Sequence, residues 1–260
     1  VVNDIKELQI ILKNIDNIPC TVIGAGSNIL VREAGYKGLI IKLGKTFNNL
    51  SIKDNKIIVG AGILDSNLSK FAYLNSIKNF EFFSGIPGSI GGAIKMNAGC
   101  FGSETKDFLR KVTIINKKNG EITSVKKDEL QLSYRESNLR DIVLDASFDI
   151  EIGNQKKIKE KMETIKKTRE ATQPLKTKTS GSTFKNPKGY YAAELIENSD
   201  CKDLKVGDAI VSNKHSNFLI NCGNATAGEI EELGNLIIQK VKKKFNITLQ
   251  WEIHIIGDNN

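Results

Sequence analysis

A chain of 260 residues, 40% hydrophobic and 26% charged, is long enough for one large domain or two modest ones without covalent staples. No stretch nears the ~20 apolar residues of a membrane span, VVNDIKELQI shows no secretory leader, and Cys20, Cys100, Cys201 and Cys222 form no C-x-x-C pair, which together exclude a zinc-ribbon or disulfide scaffold and favour a reducing cytoplasm. Lysine plus arginine exceed aspartate plus glutamate by 38 to 30, a net charge of +8, so an anionic partner is expected, either nucleic acid or a phosphorylated small molecule.

Ile5, Leu8, Ile11 and Leu12 share one face of an opening helix, after which CTVI reads as a strand. Gly24-Ala25-Gly26 then begins like a dinucleotide fingerprint, but the third glycine of G-x-G-x-x-G is replaced by Ile29 and ILVR continues as strand, so the Rossmann reading fails. What remains, Gly24, Ala25, Gly26, Ser27 and Asn28, is a loop of bare amides that could line a phosphate or simply turn one strand into the next. GLIIKL and KIIVGAG read as strands and Ser66 to Ser76 as a compact helix.

The next stretch, GIPGSIGGAIKMNAG, holds Gly85, Gly88, Gly91, Gly92 and Gly99, with Pro87 fixing φ in the turn. Such backbone can lie against a flat or anionic ligand where any Cβ would collide. Close packing of two elements would also use glycine, yet it does not call for Ser89 and Asn97 among them. No G-K-[ST] occurs, so no Walker-type ATP site is present.

VTIINKKNGEITSV places Asn119-Gly120 between two β-rich runs, a hairpin signal, and DIVLDASFDIEI is a further strand. KKIKEKMETIKKTR shows only Ile158, Met162 and Ile165 as an apolar stripe, which describes a connecting helix with a solvated basic face, and a loop follows from Thr172 to Gly189. Beyond it Tyr191 to Asn198 looks helical, Ser216 to Asn221 extended, and the Thr226 and Glu229 capping box opens a helix carrying Ile230, Leu233, Ile237, Val241 and Phe245. In ITLQWEIHII the apolar residues alternate, turning Gln250, Glu252 and His254 to the other face of one strand. Aromatics interleaved with cations on one face, the mark of nucleic-acid binding, are not seen.

GAGSNILVR, SGIPGSIGGAIKMNAGCFG, LSYRESNLR, TSGSTFKNP and WEIHIIG, in that order, resemble the UDP-N-acetylenolpyruvoylglucosamine reductase family (MurB). The resemblance implies an α+β protein: a two-subdomain FAD-binding domain of PCMH/VAO type over residues 1–155, then an α/β substrate-binding domain over 156–260. Both glycine clusters would wrap FAD, the first near its pyrophosphate, the second along pyrophosphate and isoalloxazine. NADPH would reduce the flavin, which would pass hydride to the enolpyruvyl group of a UDP-sugar in cytoplasmic peptidoglycan precursor synthesis. The expected partners are that UDP-sugar and NADPH, with no nucleic acid, membrane or metal, and the chain is expected to be a monomer. Another flavoenzyme on the same scaffold is the alternative, though GSTFKNP with a late glutamate would not be expected there.

Hydride addition to an enolpyruvyl group builds negative charge that asks for a fixed cation, and the resemblance assigns Arg135 to it. Without the motif, Arg135 beside Glu136 reads as a surface ion pair. Ser182, otherwise an ordinary turn residue, matches the family's proton donor to the enolate. Glu252 matches the glutamate that helps arginine polarise the carboxylate, and Tyr134, Lys185 and Asn186 are expected to hold the UDP-sugar. Family members carry a segment with a T-x-x-x-x-G-G strand and turn ahead of the first helix; this sequence starts without it and without an initiator Met, so a trimmed FAD-binding half is expected. The tyrosine-bearing insertion of the longer subclass is also lacking.

Overall fold

The computed structural model describes residues 1–15 and 17–258. These form two compact units, one of residues 1–26 and 38–167, the other of residues 27–37 and 168–260. Where the sequence suggests one boundary near residue 155, the chain passes from one unit to the other three times.

The first unit opens with helix α1 (Ile5–Lys13), capped by the Asp4 carboxylate, which accepts from Lys6 N. Strand β1 (Cys20–Val22) precedes β2 (Ile29–Val31), which belongs to the second unit, and pairs in parallel with β3 (Leu39–Ile41). Leu8 and Leu12 of α1 pack with Ile41, Phe47, Ile115, Ile142 and Leu144 in one core. β4 (Leu50–Lys53), β5 (Lys56–Gly60), helix α2 (Asp65–Leu74) and helix α3 (Ile90–Lys95) follow, then the short β6 (Gly99–Cys100), β7 (Ser103–Glu104) and α4 (Thr105–Phe108). β8 (Leu109–Ile115), β9 (Ile122–Lys126) and β10 (Ile142–Asp149) complete a five-stranded antiparallel sheet in the order β4-β5-β10-β8-β9.

Against one face of that sheet lies a second core built from Ile57, Val59, Ala146 and Phe148 with Leu68 of α2 and Ile90 and Ile94 of α3. Phe80 and Phe83 meet Phe148 edge-on at 5.8 and 6.1 Å, so the aromatic run roots the glycine-rich loop in the sheet. A register shift between Val143 and Asp145 switches the faces of the strand, so that Ile142 and Leu144 enter one core while Ala146 and Phe148 enter the other. The hairpin at Asn119-Gly120 forms with a longer loop than a two-residue turn: Gly120 N donates to Asn116 O, and the Asn116 side chain accepts from Lys118 N and Asn119 N. Helix α5 (Gln155–Thr172) buries only Ile158 and Ile165, leaving its lysines solvated.

In the second unit, α6 (Ala192–Asn198) precedes an antiparallel sheet of β11 (Lys205–Val206), β12 (Ala209–Val211) and β13 (Leu219–Asn221). Helix α7 (Ala227–Phe245) starts on the Thr226–Glu229 capping box and lays Leu233, Ile237 and Val241 on Leu195, Ile196 and Val211. The β11–β12 hairpin, not among the elements expected from the sequence, turns on Gly207-Asp208, with Gly207 at φ +53. The closing segment is not one strand: Trp251 bridges Phe184, the chain bends at Ile253, and only β14 (His254–Ile256) forms a ladder, parallel to β2. Leu249 and Ile253 are buried as the alternation predicts, but Glu252 is half-buried like Trp251, and the successive partners differ. Arg32, next to β2, makes a bidentate pair with Glu231 of α7 at 2.7 and 2.8 Å, and Glu33 accepts from Ala227 N. Among the described residues no helix is long and apolar enough to cross a membrane.

Candidate active site

In the first unit the two glycine clusters meet. A Cβ built on Gly24 would lie 2.1 Å from Ser89 Oγ, so the serine occupies the place that the glycine leaves. Ser89 stands at the N-cap of α3 without a side-chain capping bond. Ala25 and Gly26 are exposed, and Gly26 has φ +76 with open space where a side chain would be. Gly92 and Pro87 are exposed too. A dinucleotide needs accessible backbone with little side chain on it, flanked by donors, and Gly24, Ala25, Gly26 and Gly92 beside Ser89 fit that need.

Other members of the set are packed inward. A Cβ on Gly91 would come within 3.1 Å of Ala61 Cβ, and one on Gly99 within 2.4 Å of Ser103 O. Gly85 is buried, and Gly88 O accepts from Asp65 N. Asn97 is fully buried at φ +42, where it ends α3: Ala98 N reaches back to Ala93 O and Asn97 N to Ile94 O.

Tyr134 and Arg135 form the tip of a two-residue turn whose flanks, Ser133 and Glu136, exchange both backbone hydrogen bonds. Arg135 has φ +54, a conformation that costs a non-glycine residue about 1–3 kcal/mol and is retained where surroundings enforce it. Its guanidinium donates to Gly99 O at 2.7 Å and lies 4.9 Å from the centre of the Tyr134 ring. The half-buried arginine is therefore a held group.

In the second unit, Ser182 and Glu252 come from neighbouring segments. Ser182 bridges Phe218, Glu252 N donates to Thr183 O at 2.8 Å, and Lys185 N donates to Gln250 O at 2.8 Å. Asn28 donates to Glu252 O at 3.1 Å, and a Cβ on Gly181, which has φ +84, would be 3.9 Å from Ser27 O. The loop that reads as one unit in sequence is thus divided: Ser27 and Asn28 sit with Ser182 and Glu252, while Gly24 to Gly26 sit with Ser89. Asn186 spends its side-chain oxygen on Ala192 N at 2.9 Å, fixing the turn ahead of α6.

Sequence reasoning missed the support beneath Ser182. Asn217, nearly buried, accepts from Phe184 N at 2.9 Å, donates to Phe184 O at 2.8 Å and, through its own carbonyl, accepts from Thr183 N. His215 Nδ1 accepts from Asn217 N at 3.3 Å, and burial pushes the imidazole pKa down. The clue available was the polar run Ser212 to Asn217 ahead of the apolar FLI.

The first unit's stretch places the chain among proteins with a flavin-binding half: a family pattern described as "FAD binding domain" matches residues 1–126. A second pattern, "UDP-N-acetylenolpyruvoylglucosamine reductase, C-terminal domain", matches residues 173–256. The chain is 42% identical over 259 residues to the UDP-N-acetylenolpyruvoylglucosamine reductase of Clostridium tetani, covering 98% of this chain and 84% of that one. It is 44% identical over 243 residues to the enzyme of the same name from Anaplasma marginale, covering 93% and 81%. The crystal structure of the Thermus caldophilus reductase superposes with a TM-score of 0.85 at 33% identity, covering 98% of this chain and 91% of that one. The chain belongs to the UDP-N-acetylenolpyruvoylglucosamine reductase family.

Proposed function

We propose that the chain reduces UDP-N-acetylglucosamine enolpyruvate to UDP-N-acetylmuramate with NADPH, as a cytoplasmic step of peptidoglycan precursor synthesis. The observation that carries the reading is the pairing of the Ser182 and Glu252 segments within one unit, each fixed by backbone bonds at 2.8 Å around Thr183. The four free cysteines suit a reducing compartment. Gly24 to Gly26 and Ser89 to Gly92 would hold FAD, which would supply hydride transfer between NADPH and the enolpyruvyl double bond.

The chain's own groups do the rest. Arg135, locked by Gly99 O and its left-handed φ, presents a fixed charge to the carboxylate on which the enolate charge develops. Ser182 Oγ gives its proton to the enolate carbon, and Glu252 helps polarise the carboxylate. Tyr134, Lys185 and Asn186 hold the UDP-sugar, Asn186 also ordering the turn that precedes α6. The first unit supplies the cofactor-binding glycines together with Tyr134 and Arg135, and the second supplies Ser182, Lys185, Asn186 and Glu252, with Ser27 and Asn28 contributed to the second.

Ser182→Ala tests this. A positioned acid contributes about 10² to 10⁴ in rate, so reoxidation of the reduced flavin by the enolpyruvyl nucleotide should slow by that much. Reduction by NADPH, which involves no enolate, should stay near the wild-type rate in stopped flow. Equal slowing of both halves would signal a collapsed loop, and an unslowed second half would remove Ser182 from the chemistry. A wild-type enzyme reoxidised by oxygen but not by the nucleotide would be an oxidase instead.

A further inference from the structure

The Asn97 side chain lies 0% exposed and has given up both of its amide protons, one to Glu104 Oε2 at 3.1 Å and one to Ser133 O at 2.9 Å. Its oxygen accepts from Lys106 N at 3.0 Å. An amide has two donors, so none is left for a ligand. A left-handed cap of α3 needs only glycine or asparagine backbone, and the side chain does more than that: it spans 36 residues of sequence to the carbonyl of Ser133. Ser133 is one flank of the turn that carries Arg135, and Arg135 in turn donates to Gly99 O, two residues after Asn97. The turn is thus tied at its flank and at its tip to the same few residues.

We propose that Asn97 is a positioning residue for Arg135, fixing the Ser133–Glu136 turn so that the guanidinium is aimed before substrate arrives; this rests on the assignment of Arg135 above. Asn97 then acts on the half-reaction that uses Arg135 and not through a side-chain contact with flavin. Glu104, which also pairs with Lys106 Nζ at 2.7 Å, anchors the other amide proton.

The test exploits the two donors separately. N97D keeps the acceptor for Lys106 N but turns an oxygen toward two acceptors, Glu104 and Ser133 O. In N97D/E104Q the new amide of residue 104 can donate to the new carboxylate, restoring that link while the Ser133 carbonyl still lacks its donor. A misplacement of about 1 Å at a reacting centre costs about 10²-fold. N97D should therefore slow flavin reoxidation by UDP-N-acetylglucosamine enolpyruvate by about that factor, with NADPH reduction and FAD affinity by fluorescence quenching changed about twofold or less. The double variant should regain the thermal midpoint but not the reoxidation rate. Recovery of rate together with midpoint would make Asn97 merely structural, and a matching loss of FAD affinity would make it a cofactor contact; either overturns the proposal. N97G, which suits the left-handed φ, carries the same expectation if N97D fails to fold. Arg135→Ala separates the two readings: no slowing of reoxidation there refutes the role of Arg135, whereas slowing there with normal N97D refutes only the role of Asn97.

Discussion

His215 is a base that the fold keeps neutral. Its Nδ1 is occupied as acceptor by Asn217 N, its ring meets Phe218 edge-on at 4.7 Å, and burial lowers its pKa below the ordinary 6.5. In the window below 6.5 the unfolded chain therefore takes up a proton that the folded chain refuses, so stability falls as pH falls. The expected result is a drop in urea midpoint between pH 7.5 and 5.5 that His215→Gln, which keeps an acceptor, makes smaller; an unchanged drop would place its origin elsewhere. Asp65 runs the opposite way. Fully buried in the first turn of α2, with neither carboxylate oxygen hydrogen-bonded among the described residues, it has its pKa pushed well up by desolvation. Nothing in the sequence marks either residue, because both effects come from what surrounds the side chain and not from its neighbours in the chain.

Helix α7 was legible from its capping box and its 3.6-residue stripe, since both are local. The alternation in ITLQWEIHII also gave the inward face of Leu249 and Ile253, with Trp251 half-buried, but alternation names faces and not partners, so the bend at Ile253 and the parallel pairing with β2, some 225 residues away, stayed hidden. The site followed the same division: the glycine clusters announce themselves by composition, whereas the Asn217 clamp under Ser182 depends on a tertiary meeting of two loops. One glycine of α7 shows how far local rules can mislead. Gly234 sits mid-helix, where alanine would ordinarily gain about 1 kcal/mol, yet a Cβ there would lie 2.0 Å from the Trp251 ring, which packs 5.0 Å from Phe184. Gly234→Ala should instead destabilise by about 1–3 kcal/mol and shift the emission of the chain's single tryptophan, because the ring must move. A more stable variant with unaltered emission would refute the close approach.

At the scale of the whole molecule, the second unit is not a contiguous piece of chain. Residues 27–37 supply β2 to β14, Arg32 to Glu231 and Glu33 to the first turn of α7. A fragment of residues 168–260 should therefore lose its parallel ladder and a bidentate pair with 17% and 28% exposed side chains, and show a shallow urea transition by circular dichroism; a steep one at the full-length midpoint would show these contacts to be dispensable. The same threading sets a clock on biosynthesis. Ile29 to Val31 are polymerised about 220 residues before His254 to Ile256 exist, a wait of roughly ten to forty seconds at about 5–20 residues per second. For that time the nascent strand is an edge without its mate, open to the wrong one. Its brevity, three residues closed off by the charges of Arg32 and Glu33, is the kind of protection that keeps an orphan edge from recruiting a stranger.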